Sequence, residues 1–293
     1  MERKIARMKE LLSERLPREA LMETGINGVA IFRRDTPYGK RSQLYNSQII
    51  LLAQGKKNIY LGDKKYVYDP YHYFVQTVPL PIQCEAIIED GKPMLGIVLR
   101  IAPQLIGEIL SGLDTHPPAN ANECASLYDA SMTEEIVDAA IRLLECLDSK
   151  NETRILGQVF LKEILFRILT GENGEALREL AMSNRGFYQV AKAINKIHED
   201  YSRPIEIQTL AREAGMSSTA FYAMFKSVTS TSPLQYIKNI RLHKAKELIQ
   251  QEGEKAYEAA LRVGYESASQ FSREYKRCFG APPAKDRQIV SAY

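Results

Sequence analysis

Leu210-Ala-Arg-Glu-Ala-Gly-Met-Ser217 and Ala259-Ala-Leu-Arg-Val-Gly-Tyr-Glu266 are two versions of one sequence unit, shifted by 49 residues. Beyond this segment the shift becomes 50 residues, so the turn of the second copy holds one extra residue. The positions matched at that shift are Phe221 with Phe271, Phe225 with Tyr275, Lys226 with Lys276 and Pro233 with Pro283. Two copies are too few for a solenoid, so the layout within each copy must indicate the fold.

Each copy predicts a short helix, a glycine turn and a second helix, which is the helix-turn-helix layout. Ala211 and Ala260 are small enough to let two backbones approach closely. Gly215 and Gly264 suit a turn residue with positive φ after the first helix.

The second helix of each copy has its own start signals. Ser217 or Ser218 can cap it in the first copy, and Ser267 with Gln270 matches a Ser-x-x-Gln capping box in the second. Because the aromatic pairs recur at spacing four, we expect them to bury one face of each helix. The opposite face is then available to a partner.

That opposite face predicts contacts with the major groove of double-stranded DNA. Arg273 can donate two hydrogen bonds to a guanine edge, and Lys226, Lys276 and Arg277 suit phosphate contacts. The predicted DNA-binding residues are Ser218, Thr219, Tyr222, Ala223 and Lys226 in the first copy, and Ala268, Ser269, Ser272, Arg273, Lys276 and Arg277 in the second.

A long helix is predicted between the copies, over Ser232–Ile249, with Ser232 as its cap and Pro233 at its first position. At about 17 residues it spans about 25 Å and can hold the two units near one DNA turn apart. The candidates for its apolar stripe are Leu234, Ile237, Leu242, Ala245 and Ile249. The alternative is a helical bundle that binds a partner protein, but matched Gly, aromatic and Lys positions in two copies favour DNA.

Charge is unevenly distributed along the 293 residues. The net charge of the full chain is +3. Residues 184–287 hold 17 Lys+Arg and 11 Asp+Glu, which leaves 22 basic and 25 acidic residues for the rest of the chain. A basic C-terminal third indicates, weakly by itself, a partner that is a polyanion. No apolar run of about 18 residues predicts a membrane span, and Met1–Lys9 lacks a signal-peptide core, so we expect a cytoplasmic protein.

The N-terminal part reads first as strands and then as helices. From about 26 to 101, short aromatic and β-branched runs are separated by Gly, Pro or Asp, as in a small antiparallel barrel or sandwich. Helices are predicted over Gln104–Ser111, from Thr133 onward, and over Arg154–Leu169. The helices from 133 to 169 can form a homodimer interface or bury their apolar faces within their own domain.

Few residues in the N-terminal part suit metal or redox chemistry. The barrel segment holds one histidine, His72, with His116 beyond it, so we expect neither a metal site nor catalysis. The cysteines Cys84, Cys124, Cys146 and Cys278 have no paired spacing, and buried structural thiols are favoured over a redox sensor. The aromatic residues Tyr66, Tyr68, Tyr71, Tyr73 and Phe74 can line a pocket or simply pack between strands. We expect no cofactor.

The string Gly264-Tyr-Glu-Ser-Ala-Ser-Gln-Phe-Ser-Arg-Glu-Tyr-Lys-Arg-Cys-Phe-Gly-Ala-Pro-Pro283 resembles the second DNA-reading unit of the AraC/XylS family of bacterial regulators, and Ala211–Pro233 resembles the first. In the N-terminal half, looser motifs resemble the cupin-like sensory domain of one subgroup. They are Leu52-Ala-Gln-Gly-Lys-Lys57, Gly62-Asp63, Tyr68-Asp-Pro70 and Val78-Pro-Leu-Pro81.

The resemblance implies base-reading roles for Thr219, Tyr222 and Ala223 in the first unit and for Ala268, Ser269 and Arg273 in the second. It also implies a homodimer, activation of transcription and contact with RNA polymerase. Two departures stand out. Ala223 replaces a long polar or basic side chain common in relatives, and Ser230 replaces a usual Gly that the second copy keeps as Gly280.

The sequence therefore predicts an α+β chain with two domains. Residues 1–183 form a cupin-like antiparallel β-barrel with a helical dimerisation extension, and residues 184–293 form an all-α domain with two helix-turn-helix units joined by a long helix. We expect a sequence-specific DNA-binding regulator controlled by an unidentified small-molecule effector. The alternatives are a regulator whose barrel only dimerises, an enzyme with a helical tail, and a thiol redox sensor.

Overall fold

The computed structural model describes residues 1–89, 91–113, 126–171, 173–181 and 186–286. Internal contacts divide it into two units. The first comprises Met1–Lys40, Asn46–Val78 and the described part of Cys84–Tyr188; the second comprises Arg41–Tyr45, Pro79–Gln83 and the described part of Gln189–Tyr293. The expected boundary between 183 and 184 lies outside the described residues and stays a prediction, as do the places of His116 and Cys124.

Ten strands lie in the described residues of the N-terminal part, in two sheets. The first sheet has the order β1-β2-β9-β4-β7-β10 and the second the order β3-β8-β5-β6. The strands are β1 Ala20–Glu23, β2 Val29–Arg34, β3 Tyr38–Tyr45, β4 Gln48–Gln54, β5 Lys56–Leu61, β6 Lys64–Tyr68, β7 His72–Gln76, β8 Leu80–Ile87, β9 Met94–Arg100 and β10 Leu127–Ser131. The expected run of short antiparallel strands is confirmed.

Burial follows the position of each strand in its sheet. In β8 the buried residues Leu80, Ile82, Cys84 and Ala86 alternate with more exposed ones, as in a strand with one covered face. By contrast β4, between β9 and β7, is buried from Gln48 to Ala53. The helix Glu2–Arg15 (α1) packs against β2, β4 and β9 and so covers one face of β4.

Helices predominate after β9, as the sequence predicts, although the unpredicted strand β10 lies between the first two of them. The helices are α2 Pro103–Ser111, α3 Glu134–Glu145, α4 Lys150–Thr170 and α5 Glu175–Ala181. The Thr133 side chain caps α3 by accepting a hydrogen bond from the Ile136 amide at 3.4 Å. The start predicted at Arg154 for α4 is wrong, because Ser149 caps the helix and accepts from the Glu152 amide. The first turn is polar, so periodicity could not reveal it.

Seven helices occupy the described part of 186–286. They are α6 Gly186–Asp200, α7 Ile207–Glu213, α8 Ser218–Thr229, α9 Pro233–Gln251, α10 Ala256–Arg262, α11 Ala268–Phe279 and α12 Pro283–Asp286. One core cluster joins α9, α10 and α11 through Leu242, Ala245, Ile249, Val263 and Phe271, among others. The chain is therefore α+β, with two helix-turn-helix units joined by the long helix α9.

The buried stripe of α9 differs from the prediction at one end. Leu234 is 54% exposed, whereas Ile237, Leu242, Ala245 and Ile249 are buried as expected. Leu234 is the second residue of the helix, in the turn where Ser232 caps it by accepting from the Gln235 amide. The buried face there is formed by the unanticipated residue Tyr236.

Candidate nucleic-acid interface

The first helix-turn-helix unit is α7, a turn and α8. Gly215 has φ +67° in that turn, as predicted, and the Met216 amide donates to the Ala211 carbonyl at 2.9 Å. Of the two serines proposed as caps, Ser217 is the one used, since its hydroxyl accepts from the Ala220 amide at 3.2 Å. Phe221 is fully buried, as is Phe225.

The second unit repeats this geometry with α10 and α11. Gly264 has φ +85°, and the Tyr265 amide donates to the Ala260 carbonyl at 2.9 Å. Ser267 caps α11 by accepting from the Gln270 amide at 3.3 Å. The other half of the expected capping box is wrong, because the Gln270 side chain donates to Glu274 at 3.1 Å instead.

The ends of the two recognition helices show the departure noted at Ser230. Ser230 has φ +58° and the matching Gly280 has φ +80°. At the end of each helix the backbone N–H of Ser230 donates a hydrogen bond to the Lys226 carbonyl, and that of Gly280 to the Lys276 carbonyl, both at 2.8 Å. Within the described residues Ser230 is the one non-glycine residue with positive φ. The turn therefore keeps its shape despite the substitution.

All eleven predicted DNA-binding residues lie on the exposed faces of α8 and α11. The structure thus places each group on one helix face, opposite Phe221 and Phe225 in α8 and opposite Phe271 and Tyr275 in α11. In the described part of the chain, the cations of Lys226, Arg273, Lys276 and Arg277 have no ion-pair or hydrogen-bond partner. Such cations are available to an anionic ligand.

An unanticipated arginine connects the long helix to the second unit. The guanidinium of Arg241, on α9, donates to the backbone carbonyls of Tyr201 at 2.7 Å, Gly264 at 2.9 Å and Arg203 at 3.0 Å. Burial lowers the pKa of this guanidinium below its usual value. Arg241 therefore fixes the turn that precedes α11, a role that no local sequence pattern indicates.

In the N-terminal unit, one of the buried polar regions lies where β5 and β6 meet. Tyr68 faces Lys57 across the strand pair, and both are buried. The Tyr68 hydroxyl has no hydrogen-bond partner among the described residues, and burial raises its pKa well above the usual value. Close by, the Tyr38 hydroxyl lies 3.7 Å from the Cys84 sulfur.

Strand packing accounts for part of the aromatic cluster around β6 and β7, while its role in lining a pocket stays a prediction. Tyr68 stacks on Phe74 at 5.0 Å between ring centroids, and Tyr73 is also buried. Tyr71 is exposed and Tyr66 half-buried. Strand packing thus accounts for three of the five rings, while the Tyr68 hydroxyl remains a polar group inside the barrel.

The histidine and cysteine side chains of His72, Cys146 and Cys278 were considered in the sequence for metal or redox chemistry. His72 Nδ1 lies 2.9 Å from an Asp69 carboxylate oxygen, and no group of three metal-ligating side chains occurs among the described residues. Burial raises the pKa of the Cys146 and Cys278 thiols, the direction opposite to that of a reactive thiol.

Among the residues that the structure describes, no helix combines the length and apolar character needed to cross a bilayer.

Known proteins share these features. Residues 25–176 match the family described as the AraC-type transcriptional regulator N-terminus, and residues 210–289 match a helix-turn-helix domain family. The Msm operon regulatory protein of Streptococcus mutans is 25% identical over 49% of this chain and 50% of its own length. The regulator AlkR of Acinetobacter baylyi is 31% identical over 34% of this chain and 33% of its own. The chain thus aligns with half or less of these relatives.

A solved structure supports the fold over most of the chain. ToxT of Vibrio cholerae with a bound unsaturated fatty acid has a TM-score of 0.60 at 11% identity, covering 90% of this chain and 96% of ToxT. At this identity the likeness concerns the fold alone. Because the N-terminal family match spans more than half of the chain and is followed by the helix-turn-helix match, the chain belongs to the AraC-type transcriptional regulators.

Proposed function

We propose that this protein binds double-stranded DNA sequence-specifically and regulates transcription, with α8 and α11 in the major groove. The supporting observation is the repeated geometry of two capped helices, each with a buried aromatic face and an exposed polar one. At 19 residues, α9 is about 28 Å long, a length compatible with two units that read adjacent turns.

In this proposal the exposed residues of α8 and α11 make two kinds of contact, to bases and to phosphates. Base contacts come from Ser218, Thr219, Tyr222 and Ala223 of α8 and from Ala268, Ser269, Ser272 and Arg273 of α11. Phosphate contacts come from Lys226, Lys276 and Arg277. Arg273 supplies the most discriminating contact, since a bidentate arginine–guanine pair contributes about 1–3 kcal/mol of selectivity.

The test is selection of duplexes from a library with a randomised central segment, by wild type and by Arg273→Ala at fixed salt. We expect the variant to lose about 1–3 kcal/mol on the selected duplex and to relax the preference at one base position. Lys276→Ala is the matched control: it should weaken all duplexes alike and lower the salt dependence. A wild-type protein that selects no sequence refutes the proposal.

We further propose that the barrel takes up a small-molecule effector. A buried hydroxyl without a partner is unfavourable, so a ligand oxygen that accepts from Tyr68, the cross-strand neighbour of Lys57, would relieve it. The fatty acid bound to ToxT gives a first probe. If an unsaturated fatty acid raises the melting temperature of wild type but not of Tyr68→Phe, the site is supported; equal rises place the ligand away from Tyr68, and no rise in either protein favours a barrel that only dimerises.

We also propose that the chain forms a homodimer through the outer face of α4. Its inner residues, such as Leu161 and Leu165, are buried, while Ile155 is 64%, Val159 56% and Phe166 40% exposed along the outer face. An open groove of about 430 Å³ lies beside this face, lined by residues of α4, by the end of α2 and by the Gly112 and Leu113 that follow it. Val159→Lys should convert dimer to monomer in sedimentation equilibrium, whereas Asn151→Lys, on the same helix, should not. A wild-type monomer contradicts this proposal.

The remaining inferences follow from the family. We infer activation through contact with RNA polymerase, action in the bacterial cytoplasm where the DNA is, and a regulatory rather than enzymatic role, because the curated relatives carry names of regulators. Fusing a reporter gene to a promoter that contains the selected duplex tests activation, since a repressor would lower its expression.

A further inference from the structure

Glu274 connects three elements around the second recognition helix. Its carboxylate accepts from Lys238 of α9 at 2.9 Å, from the Tyr265 hydroxyl in the turn at 2.7 Å, and from Gln270 of α11 at 3.1 Å. Its side chain is 12% exposed. Although burial alone would raise the pKa of Glu274, the three hydrogen bonds lower it below the usual value, so the group is ionised. We call Glu274, Lys238, Tyr265 and Gln270 the polar clamp.

The internal repeat shows that the first unit lacks the clamp. Glu274 and Gln270 of α11 correspond, at the shift of 50, to Met224 and Ala220 of α8, and Tyr265 corresponds, at the shift of 49, to Met216. None of these three first-unit side chains can form the charged hydrogen bonds of the second unit. Met224 is instead 38% exposed. Both recognition helices share the same apolar packing, but one carries an additional ionic restraint.

The clamp acts on the orientation of α11. Glu274 follows Arg273 directly in the helix, so a roll of α11 about its axis moves both side chains together. Lys238 ties Glu274 to the helix that joins the units, and Tyr265 ties it to the turn that Arg241 holds through the Gly264 carbonyl. Charged hydrogen bonds are about twice as strong as neutral ones and more directional. The roll of α11 is thereby restrained, whereas among the described residues no ion pair or side-chain hydrogen bond joins α8 to another helix, and its buried residues Phe221, Phe225, Val228 and Thr229 hold it by packing.

We propose that Glu274 is a positioning residue for base reading by α11, and that the unclamped α8 adapts its roll to the DNA. This inference rests on the proposed DNA-binding function. It predicts strict base preference in the half-site of α11 and tolerant preference in that of α8. Simple charge repulsion predicts something different: removal of an acidic group near DNA would strengthen binding to every sequence alike.

The test measures base preference by half-site in the full chain. Duplexes selected by wild type are varied one base at a time, and positions relaxed by Arg273→Ala define the half-site of α11, while those relaxed by Thr219→Ala define that of α8. Glu274→Ala should bind the selected duplex about tenfold more weakly, within the range set by one base-specific contact. Its discrimination should fall in the half-site of α11 alone, and Met224→Ala is the matched control.

Tyr265→Phe provides a second variant that keeps the ring packed on Phe271, at 5.3 Å between centroids, and removes only the hydroxyl. It should relax base preference in the same half-site, by a smaller factor than Glu274→Ala does. The double variant with Lys238→Met and Glu274→Ala should lose less affinity for the selected duplex than the product of the two single fold-losses. Unchanged preferences in Tyr265→Phe and Glu274→Ala, or equal relaxation of both half-sites, overturn the inference. A wild-type protein without any preference overturns the proposed function instead.

Discussion

The two turn glycines differ in their surroundings, and this difference predicts unequal effects of one substitution. A Cβ on Gly215 would have no atom within 4 Å, whereas a Cβ on Gly264 would lie 2.4 Å from the Ser202 carbonyl oxygen. Both residues have positive φ, +67° and +85°. Gly215→Ala thus isolates the backbone penalty, while Gly264→Ala adds a collision with backbone that a side-chain rotation cannot relieve.

The magnitudes follow from these two contributions. A left-handed conformation costs an L residue about 1–2 kcal/mol, and the loss of glycine's freedom in the unfolded chain returns about 0.4–1 kcal/mol, so Gly215→Ala should destabilise by about 1 kcal/mol. Overpacking adds about 1–3 kcal/mol, which brings Gly264→Ala to about 2–4 kcal/mol. The Ser202 backbone must move, and Arg241, whose Cζ would lie 3.3 Å from the new Cβ, must move with it.

The assay is urea unfolding of the full chain, followed by far-ultraviolet circular dichroism at fixed pH and salt, with both variants and wild type compared by midpoint and slope. We expect Gly264→Ala to shift the midpoint at least twice as far as Gly215→Ala. Equal shifts would show that the contact with Ser202 is relieved at no cost and would refute the reasoning.

Three further predictions concern single residues. Ser230→Gly should raise the free energy of unfolding by about 0.5–1 kcal/mol, because relief of left-handed strain exceeds the added entropy of the unfolded chain; a urea midpoint at or below wild type contradicts it. Tyr68→Phe should stabilise the ligand-free protein by about 1 kcal/mol or more, since it removes a buried hydroxyl without a partner; a lower melting temperature would indicate a partner for that hydroxyl. Burial lowers the pKa of His198 to about 4, so protonation favours the unfolded chain, and stability should be complete above about pH 6.5 and fall towards pH 4. In His198→Gln the urea midpoint should decrease less between about pH 6.5 and pH 4 than in wild type. The same decrease in both proteins would exclude His198 as a cause of the pH dependence.

Local rules predicted the framework of the DNA-reading half. Gly215, Gly264, Ser217 and Ser267 act within a few residues of their own positions, so spacing in the sequence indicates their roles. The same holds for Ser232 with Pro233 at the start of α9. These signals were sufficient for the number and order of the two helix-turn-helix units.

The remaining features depend on residues distant in sequence. The Gln270 side chain donates to the Glu274 carboxylate, which Lys238 holds from another helix, and this hydrogen bond to a charged group replaces the acceptor role towards the Ser267 amide that a capping box requires. Arg241 finds its carbonyl partners up to 40 residues away. Leu234 is exposed although it fits the helical period. No pattern within one helix could reveal such contacts, which is why the clamp and the arginine were found only in the structure.

Arg241 holds the joint between α9 and the second unit through carbonyl oxygens rather than carboxylates. Carbonyl groups do not titrate, so acidification leaves this joint intact at pH values where carboxylate ion pairs are lost. Neutral acceptors also make it less sensitive to dissolved ions than an ion pair would be. Binding to DNA itself weakens steeply as salt rises, whereas the frame that presents α11 should keep its geometry. Changes of ionic strength would then alter how tightly the protein holds DNA, and a change in which sequence it prefers would come from the Lys238–Glu274 ion pair rather than from this joint.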